Sequence, residues 1–205
     1  NPIIEWQKIS LRNVELSYKS LGDSINTTVH VDYFLSESAK VDLGLQNIEL
    51  KSLQLSKSDI QLQMLASNTN IDTTKTVEEN NTEAFVWPEW KVAIAEVLLE
   101  ENHIVYDLGT DKPNPQLFDA NHIALSDFAL SLQNIKVEEH LFALDVANTS
   151  CKERSGFELR QFKTNASFGN EGLSAQNLNL ETAHNRFLAD LSISYPHIDS
   201  LLEDA

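Results

Sequence analysis

The feature of this sequence that most constrains its fold is a short, regular alternation of apolar residues. Many runs alternate apolar and polar side chains, and in one of them Val29, Val31 and Tyr33 alternate with His30 and Asp32. This period of two is typical of β-strands that bury one face. Only 6 glycines and 5 prolines are present, so the turns must rely on Asn, Asp and Ser. The sequence therefore predicts an all-β fold.

Polar doublets interrupt this alternation and give the pattern apolar-x-apolar-x-x-apolar-x-apolar. The doublets are Arg12-Asn13, Gln46-Asn47, Ser126-Asp127, Gln133-Asn134 and Gln176-Asn177. On a helix these apolar positions would scatter around the axis. In a strand, the extra residue would move the apolar set to the other face unless a bulge or a bend absorbs it. Two interpretations stay open: long strands with regular bulges that curl the sheet, or corners between short strands.

The chain contains an approximate internal repeat. The stretch from Trp6 to Tyr18 resembles the stretch from Trp90 to Tyr106, and each is followed by a loop and then by the doublet pattern. We expect a first β-repeat unit at 1–65, a polar linker at 66–87 and a second unit at 88–205, the two units being separate or parts of one continuous sheet. Pro196, followed by spaced apolar residues, predicts one short C-terminal helix over 195–202.

The charge of the chain argues against nucleic acid as a partner. Asp and Glu number 31 against 15 Lys and Arg, which gives a formal net charge of −16. Phosphate binding needs clustered basic residues, and here they are scattered. We therefore expect no nucleic-acid partner and repulsion from anionic lipid surfaces.

The sequence carries no pattern of catalytic or metal-binding residues. Its 6 glycines are dispersed, and no Gly-x-Ser-x-Gly motif occurs. The 6 histidines lack the spacing of helical zinc motifs, and the single Cys151 cannot form a cysteine cage or an internal disulfide. Trp87 and Trp90 flank Pro88, and we expect them to cover a sheet end rather than to stack on a sugar. We expect no catalytic, cofactor or metal site, and no enzyme activity.

We expect this chain to be a piece of a longer protein. The sequence begins at Asn1-Pro2 without an initiator Met. No apolar run approaches the roughly 18 residues that a membrane-spanning helix requires. Any membrane anchor would therefore lie outside this sequence.

Four stretches of the second half resemble the TamB and AsmA-like family of bacterial envelope proteins, in the form found among Bacteroidetes. They are Trp90 to Tyr106, Phe118 to Leu125, Arg154 to Leu159, and Leu178 to Thr182 leading into Asp190 to Tyr195. The resemblance covers residues 88–205 well and residues 1–65 weakly. Its phrases are degenerate β-repeats rather than catalytic signatures.

The resemblance implies an elongated, curled antiparallel sheet that forms an open trough with an apolar inner face, a shape called a β-taco. It implies a segment of a periplasm-spanning protein, anchored in the inner membrane outside this sequence, that shields phospholipid acyl chains for inter-membrane lipid transport and outer-membrane biogenesis. The family offers no catalytic residues to carry over. The candidate trough-lining residues are Leu125, Phe128, Leu130, Leu132, Phe157, Leu159, Phe162, Phe168, Leu178, Leu180, Phe187 and Leu191.

Other interpretations remain. The chain is alternatively a structural or adaptor β-domain of the same envelope family, which contacts an outer-membrane β-barrel or another protein through its sheet edges. A β-solenoid of pentapeptide repeats shares the five-residue period but needs many consecutive repeats, whereas these runs break after about three. The apolar face would pack against a second sheet if the fold were a closed sandwich.

Overall fold

The computed structural model describes residues 2–20, 24–64, 85–109, 111–114 and 117–198. The described residues form one sheet of 10 strands, which confirms the all-β prediction. The strands are β1 (Ile3–Ser20), β2 (Ile25–Asp42), β3 (Asn47–Ser56), β4 (Asp59–Met64), β5 (Lys91–Leu108), β6 (His122–Glu138), β7 (Leu141–Glu153), β8 (Glu158–Gly169), β9 (Gly172–Thr182) and β10 (Arg186–Ser194).

The strand order is β1-β2-β3-β5-β6-β7-β8-β9-β10, and β4 continues the line of β3 between β2 and β5. Neighbouring strands are antiparallel, except that β3 and β4 pair in parallel with β5. A parallel pairing requires the chain to return along the sheet, and residues 65–90 make this connection. The two predicted repeat units therefore share one sheet. Residues 66–84 of the predicted linker lie outside the described residues.

Residues with a left-handed backbone mark a first line of bends across the strands. Ser38 on β2, Asn134 on β6 and Asn177 on β9 have φ of 48°, 52° and 54°. Ser38 and Asn134 lie at the same height along their strands. Each precedes a residue, Ala39 or Ile135, of one row of paired residues that crosses β2, β3, β5 and β6. We call this line the first bend line.

A second bend line crosses the sheet about six residues further along the strands. Asn13 on β1, Lys57 between β3 and β4, and Glu101 on β5 have φ of 50°, 52° and 52°. Each follows a member of one row of paired residues that runs through Arg12, Tyr33, Ser56 and Glu100. On β6 the bend is repeated at Asp127, with φ of 51°.

These bends decide between the two interpretations of the polar doublets. Four of the five doublets lie inside strands, and the second residue of each is left-handed: Asn13, Asp127, Asn134 and Asn177. Asn and Asp tolerate this conformation better than most residues. These four are bends within long strands, whereas Gln46-Asn47 is a corner, since Gln46 with φ of 50° ends the turn before β3.

The sheet is a single layer. Among the described residues, the buried hydrophobic side chains are only Val31, Ala39, Ile135, Tyr195 and Ile198. Each strand contacts only the strands with which it pairs. The described part of the chain therefore contains no second sheet that would close a sandwich.

The segment after β10 returns to the end of the sheet. The Tyr195 hydroxyl donates to the Gly169 carbonyl at 2.6 Å, and the Tyr195 amide donates to Glu171 at 3.2 Å. Of the predicted helix over 195–202, residues 195–198 form a bend and a turn, and residues 199–202 lie outside the described residues. No helix in the described ranges is long and apolar enough to cross a membrane.

Candidate functional site

One row of paired apolar residues crosses the whole sheet. The row, called the Leu11 row, is Leu11, Phe34, Leu55, Leu99, Leu130, Thr149, Phe162, Leu180 and Phe187. Directly paired residues lie on the same face of a sheet, and only Thr149 in this row is polar. With strands about 4.8 Å apart, eight spacings make the row about 38 Å long.

A second such row runs near the strand ends on the other side of the first bend line. The row, called the Ile4 row, is Ile4, Val41, Ile48, Val92, Val137, Phe142, Phe168, Leu173 and Ile193. Every member is apolar. The Ile4 and Leu11 rows lie on the same face of the sheet. On β6, for example, two residues separate Leu132 from Ile135, and the left-handed Asn134 is the extra residue of a bulge, so Leu132 and Ile135 still point to the same side.

The opposite face carries polar rows. One of them is Lys8, Glu37, Ser52, Glu96, Gln133, Asp145, Asn165 and Gln176. Within it, Asp145 accepts hydrogen bonds from the side chains of Asn134 at 2.8 Å and Asn165 at 2.6 Å. These two bonds stabilise the carboxylate and lower the pKa of Asp145 from its ordinary value. One face of the sheet is thus apolar and the other is hydrogen-bonded and charged.

Burial shows which face lies inside the bends. Ser36, Ala39 and Thr164 flank the first bend line on the apolar face and are only 4%, 6% and 6% exposed. Ser38 and Asn134, at the bend itself, are exposed. Side chains converge on the inside of a bend and diverge on its outside. The apolar face is therefore the concave one, and the curled sheet forms an open trough.

Inside the second bend line, two polar residues close the break between β3 and β4. Ser58 and Asn102 are each 1% exposed. The Asn102 amide oxygen accepts from the Ser58 backbone N–H at 3.0 Å, and its amide nitrogen donates to the Leu55 carbonyl at 3.1 Å. These bonds replace strand pairing at the break, so the polar groups at this point of the trough are satisfied.

The trough is largely uncovered. Leu11 in the Leu11 row is 41% exposed, and Phe187 at its other end is 52% exposed. In the Ile4 row, Ile4 is 51% exposed and Ile193 is 53% exposed. Single exposed apolar residues are ordinary, but contiguous apolar surface of this kind marks an interaction site.

Aromatic residues that precede β5 cover part of one side of the trough, where the strands end. The Phe85 and Trp87 rings lie over Phe168 of the Ile4 row, with ring centroids 6.1 and 5.5 Å apart respectively. Trp87 also contacts His140 at 5.9 Å. The Trp87 indole N–H is buried without a hydrogen-bond partner among the described residues. Trp87 thus covers part of the concave face at its edge.

The structure brings most of the predicted lining residues together. Leu130, Phe162, Leu180 and Phe187 belong to the Leu11 row, and Phe168 belongs to the Ile4 row. Leu132, Leu178 and Leu191 pair on the same face between these two rows, with Val146, Ala189 and Ala175 respectively.

The remaining candidates lie at or beyond the second bend line. Phe128 and Leu125 pair with Asn102 and Ile104 of β5, and Leu159 pairs with Cys151 and Thr182. Phe157 lies apart from all of these rows. It occupies the turn between β7 and β8, and it is 49% exposed.

All of the predicted lining residues lie in the second half of the chain. The structure adds members from the first half, notably Leu11, Phe34 and Leu55 in the Leu11 row. The signal was present, because Leu11 and Leu55 belong to the same doublet pattern as the chosen residues. The two halves of the sequence contribute to the same surface.

Among the described residues, no group of three or more His, Cys, Asp and Glu side chains is placed to hold a metal ion. Cys151 is half-buried on β7, and burial raises the pKa of its thiol. In comparisons with known proteins, no family model, no curated protein and no solved structure matches this chain.

Proposed function

We propose that this chain is a segment of a bacterial envelope protein and that its trough shields phospholipid acyl chains. The observation that carries the proposal is the pair of apolar rows, Leu11 and Ile4, that cross nine strands on the concave face, with no covering sheet among the described residues. The resemblance to TamB and AsmA-like proteins supplies the setting. The parent protein would be periplasmic, anchored in the inner membrane outside this sequence, and would serve inter-membrane lipid transport and outer-membrane biogenesis.

The energetics suit an acyl chain as the occupant. Burying a methylene contributes about 0.8 kcal/mol, so a chain of about sixteen carbons would gain on the order of 12 kcal/mol in the ideal limit. One leaflet of a bilayer holds about 15 Å of hydrocarbon, so a row about 38 Å long accommodates more than one chain length. Because the rows repeat at each strand, neighbouring positions offer similar energy and a chain can slide.

In this proposal the protein acts only by burying the acyl chains of phospholipids. It has no enzymatic role, no cofactor, no metal and no nucleic-acid partner. Its ligand is the acyl part of a phospholipid, and the polar convex face remains in water. The headgroup would stay at the open side of the trough, where it keeps its hydration.

Native mass spectrometry of the gently purified protein, followed by lipid extraction, tests this function. We expect co-purifying phospholipid with the wild type, and loss of that lipid in Leu130→Asp. Ser131→Asp is the matched control, because Ser131 is the next residue along β6 and lies on the opposite face. Circular dichroism should be native for both variants. A lipid-free wild type, or equal lipid in both variants, would contradict the proposal.

An adaptor role is the second candidate. It is favoured by the two edge strands, β1 and β10, which pair on one side only within the described residues. Edge strands can take up a strand of another protein, and the partner in this case would be an outer-membrane β-barrel protein. A well-folded, lipid-free protein that binds such a barrel would support this role.

A further inference from the structure

We propose that residues 85–90, which we call the strap, form a displaceable cover of the trough. The strap lies on the Ile4 row at Phe168, and an acyl chain that follows this row must displace it. This inference rests on the proposed function and deepens it, because it says how access to one apolar row is controlled.

The strap covers one point of a row that is open on both sides of that point. The rings of Phe85 and Trp87 lie 6.1 and 5.5 Å from the Phe168 ring, centroid to centroid. Aromatic rings at these distances are in contact, so no acyl chain fits between Trp87 and Phe168. The neighbours of Phe168 in the row, Phe142 and Leu173, are 37% and 40% exposed. A chain that runs along the row from Leu173 to Phe142 therefore meets the Trp87 indole.

Hydrogen bonds anchor the strap at its β5 end. The Gln46 side chain donates to the Glu89 carboxylate at 2.9 Å. The Lys91 backbone N–H, directly after the strap, donates to the Gln46 carbonyl at 2.8 Å. This end of the strap therefore stays on the sheet when the other end moves.

The aromatic end of the strap reaches far from this anchor. Phe168 belongs to β8, which is three strands away from β5 and about 14 Å across the sheet. Pro88 disfavours a helical backbone at Trp87 and so favours the extended chain that this span requires. Rotation of the chain near the anchor would lift Phe85 and Trp87 off the row together.

The contacts of Trp87 make its covered position a balanced one. Its indole ring contacts the rings of Phe85, His140 and Phe168, which favours this position. Its indole N–H is buried without a hydrogen-bond partner among the described residues, which opposes it. In water the N–H would be hydrated, and an acyl chain on Phe168 would replace one apolar contact by another. An acyl chain that binds only the open position therefore shifts the strap toward it.

The affinity for a single-chain lipid tests the displacement. The probe is palmitoyl lysophosphatidylethanolamine below its micelle-forming concentration, titrated by calorimetry. Trp87→Ala removes the ring that competes for Phe168 and should tighten binding by about threefold to tenfold. Val86→Ala is the matched control, because Val86 is the adjacent residue of the strap and is 82% exposed, and it should leave the affinity unchanged. Weaker or unchanged binding by Trp87→Ala would overturn the proposal.

Tryptophan fluorescence measures the movement itself. Trp6→Phe and Trp90→Phe leave Trp87 as the only tryptophan of the sequence. The same lipid should shift the emission of Trp87 to longer wavelength and increase its quenching by acrylamide, with saturation at the calorimetric Kd. The control keeps Trp90 alone, through Trp6→Phe and Trp87→Phe. Its emission should not change, because Trp90 adjoins the anchored end.

The two measurements separate the failure of this inference from the failure of the proposed function. Calorimetric binding by the wild type without a change at Trp87 would overturn the strap as a cover and leave lipid binding intact. Absence of binding by both the wild type and Trp87→Ala would overturn the strap and the proposed function together. Tighter binding by Trp87→Ala with a saturable change at Trp87 is the result that the structure predicts.

Discussion

The replacement of Leu130 by aspartate distinguishes an open trough from a closed core. Leu130 pairs with Leu99 and Thr149 on the concave face, and its side chain is half-buried. Full burial of a leucine side chain contributes about 1.5–3 kcal/mol, so a partly exposed one contributes about 1–2 kcal/mol. The new carboxylate can reach water across the open side. We therefore expect Leu130→Asp to lower the free energy of unfolding by about 1–2 kcal/mol and to leave a folded protein.

Urea unfolding followed by far-UV circular dichroism measures this difference. Ser131→Asp on the convex face is the matched control and should change the free energy of unfolding by no more than about 0.5 kcal/mol. In a closed core, an unpaired carboxylate would add several kcal/mol of desolvation, a large part of the total stability of a domain. A Leu130→Asp protein that is unfolded without urea would refute the open trough.

Three further changes test other parts of the fold. Asn102→Ala leaves the buried Ser58 N–H and the part-buried Leu55 carbonyl without these partners. It should lower the free energy of unfolding by about 2–4 kcal/mol in urea titrations, whereas a change under about 1 kcal/mol would contradict the role of Asn102 at the strand break. Glu101→Gly should raise the free energy of unfolding by about 1 kcal/mol, because Glu101 has a left-handed backbone that glycine adopts without strain. Its neighbour is the control: Glu100→Gly should lower the free energy of unfolding by about 0.5–1 kcal/mol. Changes of the same sign in both variants would contradict the bend at Glu101. The pKa of Asp145 is lowered, so its bonds stabilise the fold above the unfolded-state pKa of about 3.9 and this contribution is lost as pH falls through the folded pKa. Stability measured from about pH 5 to pH 2 should therefore fall less steeply in Asp145→Asn than in the wild type, and identical slopes would contradict this contribution.

The sequence pattern predicted the strands because alternation depends on local spacing, and it left open whether the doublets were bulges in a curled sheet or corners between short strands. Asn13, Asn134 and Asn177 each sit second in a polar doublet, and each adopts the left-handed conformation that keeps the next apolar residue on the same face. Residues that tolerate this conformation are recognisable from sequence. The doublets therefore marked some of the bends, whereas the bends at Ser38, Lys57 and Glu101 lie outside them.

The junction between the two halves was not predictable in the same way. The parallel pairing of β3 and β4 with β5 joins residues more than 40 positions apart, across a connection without a pattern of its own. In the sequence, nothing distinguishes Asn102 from any other polar residue of a strand. Only its position opposite the break at Ser58 makes it a buried group whose amide oxygen accepts one hydrogen bond and whose amide nitrogen donates another.

The structure places most of the predicted lining residues on the concave face, together with residues from the first half of the chain that were not predicted. Leu11 and Leu55 of the first half fit the same doublet pattern. Phe157, also a predicted lining residue, follows Gly156 in a turn, where Gly156 has φ of 96°. Spacing relative to the doublets is therefore a better guide to the trough than apolar character alone.

Site-specific photo-cross-linking tests the central claim, that the concave face shields acyl chains, most directly. A photoreactive phenylalanine analogue would replace Leu130 in one protein and Ser131 in another. Each protein would be irradiated with phosphatidylethanolamine vesicles, and lipid adducts would be measured by mass spectrometry. We predict adducts at position 130 and none at position 131. Equal labelling at both positions, or no labelling at position 130, would contradict the claim.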